Sequence, residues 1–428
     1  MGVQFEKYPK YKDSGVEWLG EIPEDWDVKR IKYLFKEINE RSDDGAGDLL
    51  SVSQYTGVTK KKDKVDDGDI LTTASTLEGY KKVTKGDLVS NIMLAWNGSL
   101  GFSPFSGITS PAYCIYRLSS DNDKKFFHYL FRTDLYKSEF KRNSSGVIES
   151  RLRLYTDDFF KLYSILPPKE TQTRIATYLD TQCQKIDTAI AKKERLIELL
   201  KERKQIIIQN AVTKGLDPNV KMKDSGVEWI GEIPEHWGVK RFKNLYTQSK
   251  LLPRKTDETV TSYRDGEVTL RKNRRLTGYT EAILENGFQG IRKGQLVLNS
   301  MDAFEGAIGV SDSDGKCSPE YVICNKILES QSNYYYAFLL REMALAKYIQ
   351  VISNAVRQRA VRIRFNNLAK QFVLEPPYKE QSNIVTHIKH HSSKLNNSIE
   401  VQKRNIEKLK EYKSVLINNV VTGKIKLD

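Results

Sequence analysis

Pro23-Glu24-Asp25-Trp26-Asp27-Val28-Lys29 places spaced carboxylates next to a lysine, a pattern that superficially suits a metal-dependent nuclease. The chain tests that idea itself. A second copy from Pro234, PEHWGVK, keeps the Trp, Val and Lys but lacks counterparts of Asp25 and Asp27. A metal site in both copies is therefore excluded, and the shared residues point to a structural start of a domain. His387, His390 and His391 fit one helix face, but Tyr178, Thr181 and Gln182 stand in the matching places, which favours a solvated face over a metal site. Cys114, Cys183, Cys317 and Cys324 form no C-x-x-C pair, and so few in so long a chain imply no disulfide framework. No phosphate-binding G-x-x-x-x-G-K-[S/T] loop occurs.

Glu375-Pro376-Pro377-Tyr378 resembles the [N/D/S]-P-P-[Y/F] motif of amino-methyltransferases, whose first side chain and backbone carbonyl position the amine being methylated, but a Glu leads it here. The matching stretch is Leu166-Pro167-Pro168-Lys169, and no glycine-rich turn suited to S-adenosylmethionine precedes either. Prolines at a helix start explain both copies. The expectation is a chain that performs no chemistry of its own.

Such comparisons work because the sequence repeats. KDSGVEWLGEIPEDWDVKR, from Lys12, returns from Lys223 as KDSGVEWIGEIPEHWGVKR, with 16 of 19 positions identical. Lys85-Gly86-Asp87-Leu88-Val89 returns as Lys293-Gly294-Gln295-Leu296-Val297, and Ser110-Pro111-Ala112-Tyr113 as Ser318-Pro319-Glu320-Tyr321. PPKETQTRI from Pro167 returns as PPYKEQSNI from Pro376, and NAVTKG from Asn210 as NVVTGK from Asn419. Between these anchors the halves are hardly alike. Each half runs from a mixed globular part, through a double proline, to a long helix.

Short β-branched and aromatic runs, such as Leu49 to Val52, Leu88 to Leu94 and Tyr113 to Leu118, predict strands. KKFFHYLFRTDLYKSEF and NYYYAFLLREMALAKYI predict helices. After Pro168 the helix signal continues to Thr213, with Ile186, Ile190, Lys193, Ile197, Leu200, Lys204, Ile207 and Ala211 on a coiled-coil rhythm. Ile388, Leu395, Ile399, Ile406, Leu409, Leu416 and Val420 repeat it. Helices of about 40 residues span about 60 Å. Their narrow stripes are best buried against each other, with Lys204 and Lys413 at equivalent seam positions; the alternative is that each lies on its own globular part. VTKGLDPNVKMKDSGVEW is continuous in mid-chain but divided between the two termini, so the termini are expected to meet.

With 69 Lys+Arg against 55 Asp+Glu, the net charge of +14 favours a polyanionic partner. The basic residues gather where the halves differ. Candidate DNA contacts in the first half are Ser51, Ser53, Gln54, Tyr55, Lys60, Lys61, Lys62, Lys81, Lys82, Arg151 and Arg153. In the second they are Arg271, Lys272, Asn273, Arg274, Arg275, Arg357, Gln358, Arg359, Arg362 and Arg364. Trp96, Asn97 and Asn299 join them from matching segments. Arg suits guanine edges, Lys meets phosphate as a point charge, and Asn273 and Gln358 are candidate adenine readers. Ile206, Ile207, Ile208, Leu416 and Ile417 belong to stretches more apolar than a two-helix seam needs, and are candidates for a face against a partner or a recognition domain.

The 19-residue repeat, Ser51 to Val58 (SVSQYTGV), Gly86 to Gly101 (GDLVSNIMLAWNGSLG) and the P-P-x-x-x-Q-x-x-I helix starts resemble specificity subunits of type I restriction-modification enzymes over essentially the whole chain. In the second half Leu298 to Gly306 replaces Ser90 to Gly98, with Phe304 for Trp96. The resemblance implies an α+β fold: two tandem target recognition domains in a pseudo-twofold arrangement, separated by two long helices forming an antiparallel coiled coil. The domains would be 1–168 and 216–377, with helical spacers 169–215 and 378–428. It implies a non-catalytic subunit that reads a bipartite asymmetric site in double-stranded DNA. The implied partners are two modification subunits that methylate adenine N6 and two restriction subunits. S-adenosylmethionine, ATP and Mg2+ would sit on those partners, with no cofactor or metal on this chain. A bacterial or archaeal cytoplasm is expected, without membrane attachment. Alternatives are an inhibitor that binds modification subunits without directing them, and a stand-alone DNA methyltransferase.

Overall fold

The computed structural model describes the whole chain except residues 1–5, 55, 65–75, 120, 149–150, 228, 275–286, 350–361 and 428. The chain forms two compact units, one of residues 1–194 with 403–428 and the other of residues 195–402. Each unit thus takes the start of its own half's long helix and the end of the other's.

The first unit holds a four-stranded antiparallel sheet ordered Phe35–Ile38, Tyr113–Leu118, Leu88–Asn91 and Leu100–Phe102. The second repeats it with Tyr246–Gln248, Tyr321–Lys326, Leu296–Asn299 and Ile308–Val310. Leu88–Asn91 and Leu296–Asn299 are buried on both faces, the polar Ser90, Asn91 and Asn299 included. Helix Lys124–Leu130 is separated from Asp134–Arg142, where one continuous helix is expected from sequence. Thr133 makes the break: its hydroxyl donates to the Leu130 carbonyl at 2.8 Å and accepts from the Tyr136 amide, capping the next helix.

The long helices run Lys169–Lys214 and Tyr378–Val421. Lys413 reaches Asp187 at 2.7 Å in the first unit, and Lys204 reaches Asn396 at 3.0 Å in the second. The residue numbers of both pairs add to the same total, as they must for helices running antiparallel in one register. Both seam lysines therefore have a polar partner across the seam, beside the buried Ile186, Ile197, Ile399 and Ile406.

Gln172 and Gln381 explain the P-P-x-x-x-Q signature. Each is 1 % exposed. Gln172 donates to the Pro167 carbonyl at 2.8 Å and accepts from the Asp123 amide at 2.9 Å. Gln381 donates to Pro376 at 2.8 Å and accepts from Ser332 at 2.9 Å. One side chain so ties helix start, proline pair and recognition domain together.

The 19-residue repeat folds as a hairpin, Tyr11–Asp13 with Glu21–Pro23 and Met222–Asp224 with Glu232–Pro234. Trp26 and Trp237 follow, buried. Each tryptophan packs against a glycine just beyond a long helix, Trp26 on Gly423 and Trp237 on Gly215. The termini meet in the first unit as expected: Glu6 and Lys426 form a β-bridge, and the Tyr11 hydroxyl donates to the Gly423 carbonyl at 3.0 Å. Gly423 has φ +75° and a Cβ there would stand 2.6 Å from Pro23 Cδ. Gly423→Ala is expected to cost about 1–2 kcal/mol, read as a lowered urea midpoint at unchanged slope.

Candidate nucleic-acid interface

In each unit a second hairpin lies among the candidate contacts. In the first it pairs Leu50–Ser53 with Gly57–Lys60, and in the second Val260–Ser262 with Val268–Leu270. Ser51, Ser53 and Gln54 are half-buried here, with the Ser53 hydroxyl 2.9 Å from that of Thr56. Asp48 draws in Lys60 at 2.6 Å and Lys62 at 2.9 Å. Their hydrogen bonds hold its carboxyl down to about 2. Lys61 begins a short 3-10 turn, Lys61–Lys64.

Lys81 and Lys82 separate. Side chains alternate along strand Lys81–Val83, so Lys82 is exposed while Lys81 turns inward at 6 % exposure. The structure thus places Lys81 away from solvent. Asn299 is similarly internal, at 9 % exposure. Its Oδ1 accepts from the Met301 amide at 3.2 Å and its Nδ2 donates to Asp302 at 3.1 Å. Asn91 makes the same turn in the first half, accepting from Met93 at 3.1 Å. Trp96 is half-buried, donates to the Met93 carbonyl at 2.9 Å and lies under the Lys141 ammonium, with Asn97 beside it. Arg151 and Arg153 are exposed, and the Arg153 main chain bridges to Ser145.

In the second unit several exposed cations are paired with acids. Lys272 meets Glu258 at 2.5 Å, and Arg274 meets Asp265 at 2.7 Å and Glu267 at 2.8 Å. Arg271 lies 3.4 Å from the Thr261 hydroxyl, and Asn273 donates to Thr269 at 2.8 Å. Exposed pairs of this kind are worth about 0–1 kcal/mol each, so a phosphate can displace the acid at little cost. Arg362 pairs with Glu320 at 2.9 Å, and Arg364 is exposed. Both line a polar cleft of about 300 Å³ with Gln248, Ser300 and Asn366, three residues sequence reasoning did not single out. They come together only through folding. Tyr55, Arg275, Arg357, Gln358 and Arg359 lie outside the described residues.

Two of the candidate partner residues are covered by the chain itself. Ile208 packs in the second unit's core and Leu416 in the first's, at 7 % and 2 % exposure. The extra apolar stripe thus serves the chain's own domains at these positions. Ile207 and Ile417 are half-buried, and Ile206 is 48 % exposed. Among the described residues no cluster of His, Cys, Asp or Glu is arranged to hold a metal ion, and no helix is long and apolar enough to cross a membrane.

Residues 23–199 match the family described as type I restriction modification DNA specificity domain. The putative MjaX specificity subunit of Methanocaldococcus jannaschii is 22 % identical, over 99 % of both chains. The chain is thus similar, along its whole length, to type I restriction-modification specificity subunits. The EcoDI specificity subunit of Escherichia coli is also 22 % identical, over 86 % of this chain and 82 % of its own. A chain solved in work on assembly and conformational transition of a type I restriction-modification system shares the fold. Its TM-score is 0.66 at 13 % identity, over 94 % of this chain and 98 % of that one. The matched family is described by its DNA specificity domain, and these relatives are named as specificity subunits. The repeated tryptophan motif is the constant frame of this chain's two halves.

Proposed function

We propose that this chain is a specificity subunit that reads a two-part, asymmetric sequence in double-stranded DNA, one part through each half. It directs two modification subunits to methylate adenine N6, and two restriction subunits to cleave unmodified DNA. The observation that carries this reading is the contrast within the repeat. Sheet, helix starts and tryptophan hairpins recur element for element, while the end of the second hairpin and the turn after it carry Lys60, Lys61 and Lys62 in one half and Arg271, Lys272 and Arg274 in the other. A constant frame with unlike polar surfaces suits two different half-sites. S-adenosylmethionine, ATP and Mg2+ belong to the partner subunits in this reading, and Ile206, exposed on its long helix as Leu199 and Val415 are, is offered to a partner.

Single-molecule sequencing of genomic DNA from cells with and without the gene tests it. The expected result is a split motif bearing N6-methyladenine that vanishes with the gene. An unchanged methylome in cells that make the protein and its modification subunits would refute the directing role and favour an inhibitor of those subunits.

A further inference from the structure

Arg132 and Arg341 stand at one position of the repeat, with the same offset of 209 that relates Gln172 to Gln381. Each points its guanidinium at the turn of its own half's second hairpin. Arg132 donates from Nη2 to the Gln54 carbonyl and from Nη1 to His128 Nε2 at 3.1 Å. Arg341 donates from Nη2 to the Arg264 carbonyl at 3.4 Å. The segments around the two arginines differ, but the contact recurs.

In the second half glycine keeps this approach open, and the matching glycine of the first half shares its positive φ. Gly57 and Gly266 have φ of +68° and +90°. A Cβ on Gly266 would stand 2.3 Å from Arg341 Nη1, and one on Gly57 3.4 Å from Arg132 Nη1. The glycines closing the two matching segments guard the same spot. A Cβ on Gly101 would lie 3.4 Å from Gly57 Cα, and one on Gly309 2.0 Å from the Gly266 carbonyl.

Burial pulls both guanidinium pKa values below their ordinary range, although arginine stays charged at any physiological pH. Burial also lowers the His128 ring to about 4, so it is neutral and accepts from Arg132. Arg341 Nε is buried without an acceptor among the described residues. An apolar side chain of similar length would fill this space without the cost of desolvating a cation. What arginine adds is a rigid fork of donors, aimed at a turn carbonyl that the hairpin ladder leaves unpaired.

We propose that Arg132 and Arg341 are positioning residues, each fixing the hairpin turn that its half presents to DNA. The proposal rests on the two-half-site reading above and adds to it the residues that set each half's geometry. Because each arginine acts inside one unit, each acts on one half-site.

The test uses the full-length subunit purified with its modification subunits, carrying Arg132→Met, Arg132→Lys or Arg341→Met. Binding is measured to a duplex bearing the methylated motif and to duplexes with one half-site scrambled. Arg132→Met is expected to lower discrimination at one half-site about tenfold or more, with the other unchanged. Arg341→Met is expected to do the reverse, and Arg132→Lys to recover part of the loss. Amide exchange of Gln54 and Thr56 should quicken in Arg132→Met while strand Leu88–Asn91 stays protected. An equal fall at both half-sites, or none at either, overturns the proposal. If Arg132→Met does not fold, Arg132→Lys decides, and unaltered discrimination with unaltered exchange of the turn refutes it. A wild-type complex without sequence preference would instead sink the two-half-site reading, and exchange at the turn would then judge the positioning role alone.

Discussion

Asp87→Asn is expected to lower the unfolding free energy by about 2–3 kcal/mol, the range for breaking a charge pair of which one partner stays partly in water. The Asp87 side chain is 3 % exposed. Its carboxylate accepts from Arg117 Nε at 2.8 Å, from Arg117 Nη2 at 3.0 Å and from the Thr84 amide at 3.0 Å. Asparagine keeps the shape but turns an amide donor toward donors already there. The Arg117 side chain is 45 % exposed, which screens the pair and holds the cost to the low end.

The second half supplies its own control. Gln295 and Asn325 take the places of Asp87 and Arg117, and Gln295 donates to Asn325 at 2.6 Å while accepting from the Arg292 amide at 2.6 Å. A neutral pair therefore does there what an ion pair does in the first half. Transplanting it, as Asp87→Gln with Arg117→Asn, should recover at least about half of the loss. Urea unfolding of the single and double variants measures both values. A neutral single substitution, or a double variant no better than the single, would show that the two pairs are not equivalent.

Between pH 4.5 and 7 the second unit is expected to lose about 2–3 kcal/mol through one carboxyl group. Glu342 is 8 % exposed, and both its oxygens accept from Gln205 Nε2 of the long helix at 2.6 and 2.7 Å. Burial raises it from 4.5 to about 7, against the lowering effects of Gln205 and Arg341. A carboxyl raised on folding gives stability that is fully present below its unfolded value. That stability is lost as the pH climbs through the folded value, because the unfolded chain ionises first. Glu342→Gln should leave the low-pH stability nearly unchanged and raise stability at pH 8 by about the same 2–3 kcal/mol. Urea midpoints at pH 5 and pH 8 are the measurement, and parallel pH profiles for the two proteins would refute the assignment.

Much of the architecture was legible because periodicity and repetition are local properties. The apolar spacing of Ile186, Ile197, Ile399 and Ile406 foretold the seam, and the divided repeat foretold that the termini meet. The recurring glutamine after each proline pair was visible as part of the helix-start signature, but its partners at Asp123 and Ser332 were not. Lys81 shows the limit of reading charge from composition. It and Lys82 are neighbours in sequence but take opposite faces of a strand, and only the sheet pairing says which face meets solvent.

The apolar stretches around Ile208 and Leu416 were legible as surplus hydrophobicity, but what covers them was not. That depends on contacts between residues more than a hundred positions apart, such as the Tyr335 hydroxyl donating to the Val212 carbonyl at 2.9 Å. Arg132 and Arg341 were missed for a related reason: in sequence each is one more cation in a basic chain. Linear order thus specified the duplicated frame and its helices, since those follow from spacing along the backbone. Which charges are buried, which are paired and which stay exposed was settled in three dimensions, because desolvation and pairing depend on neighbours that sequence distance does not reveal.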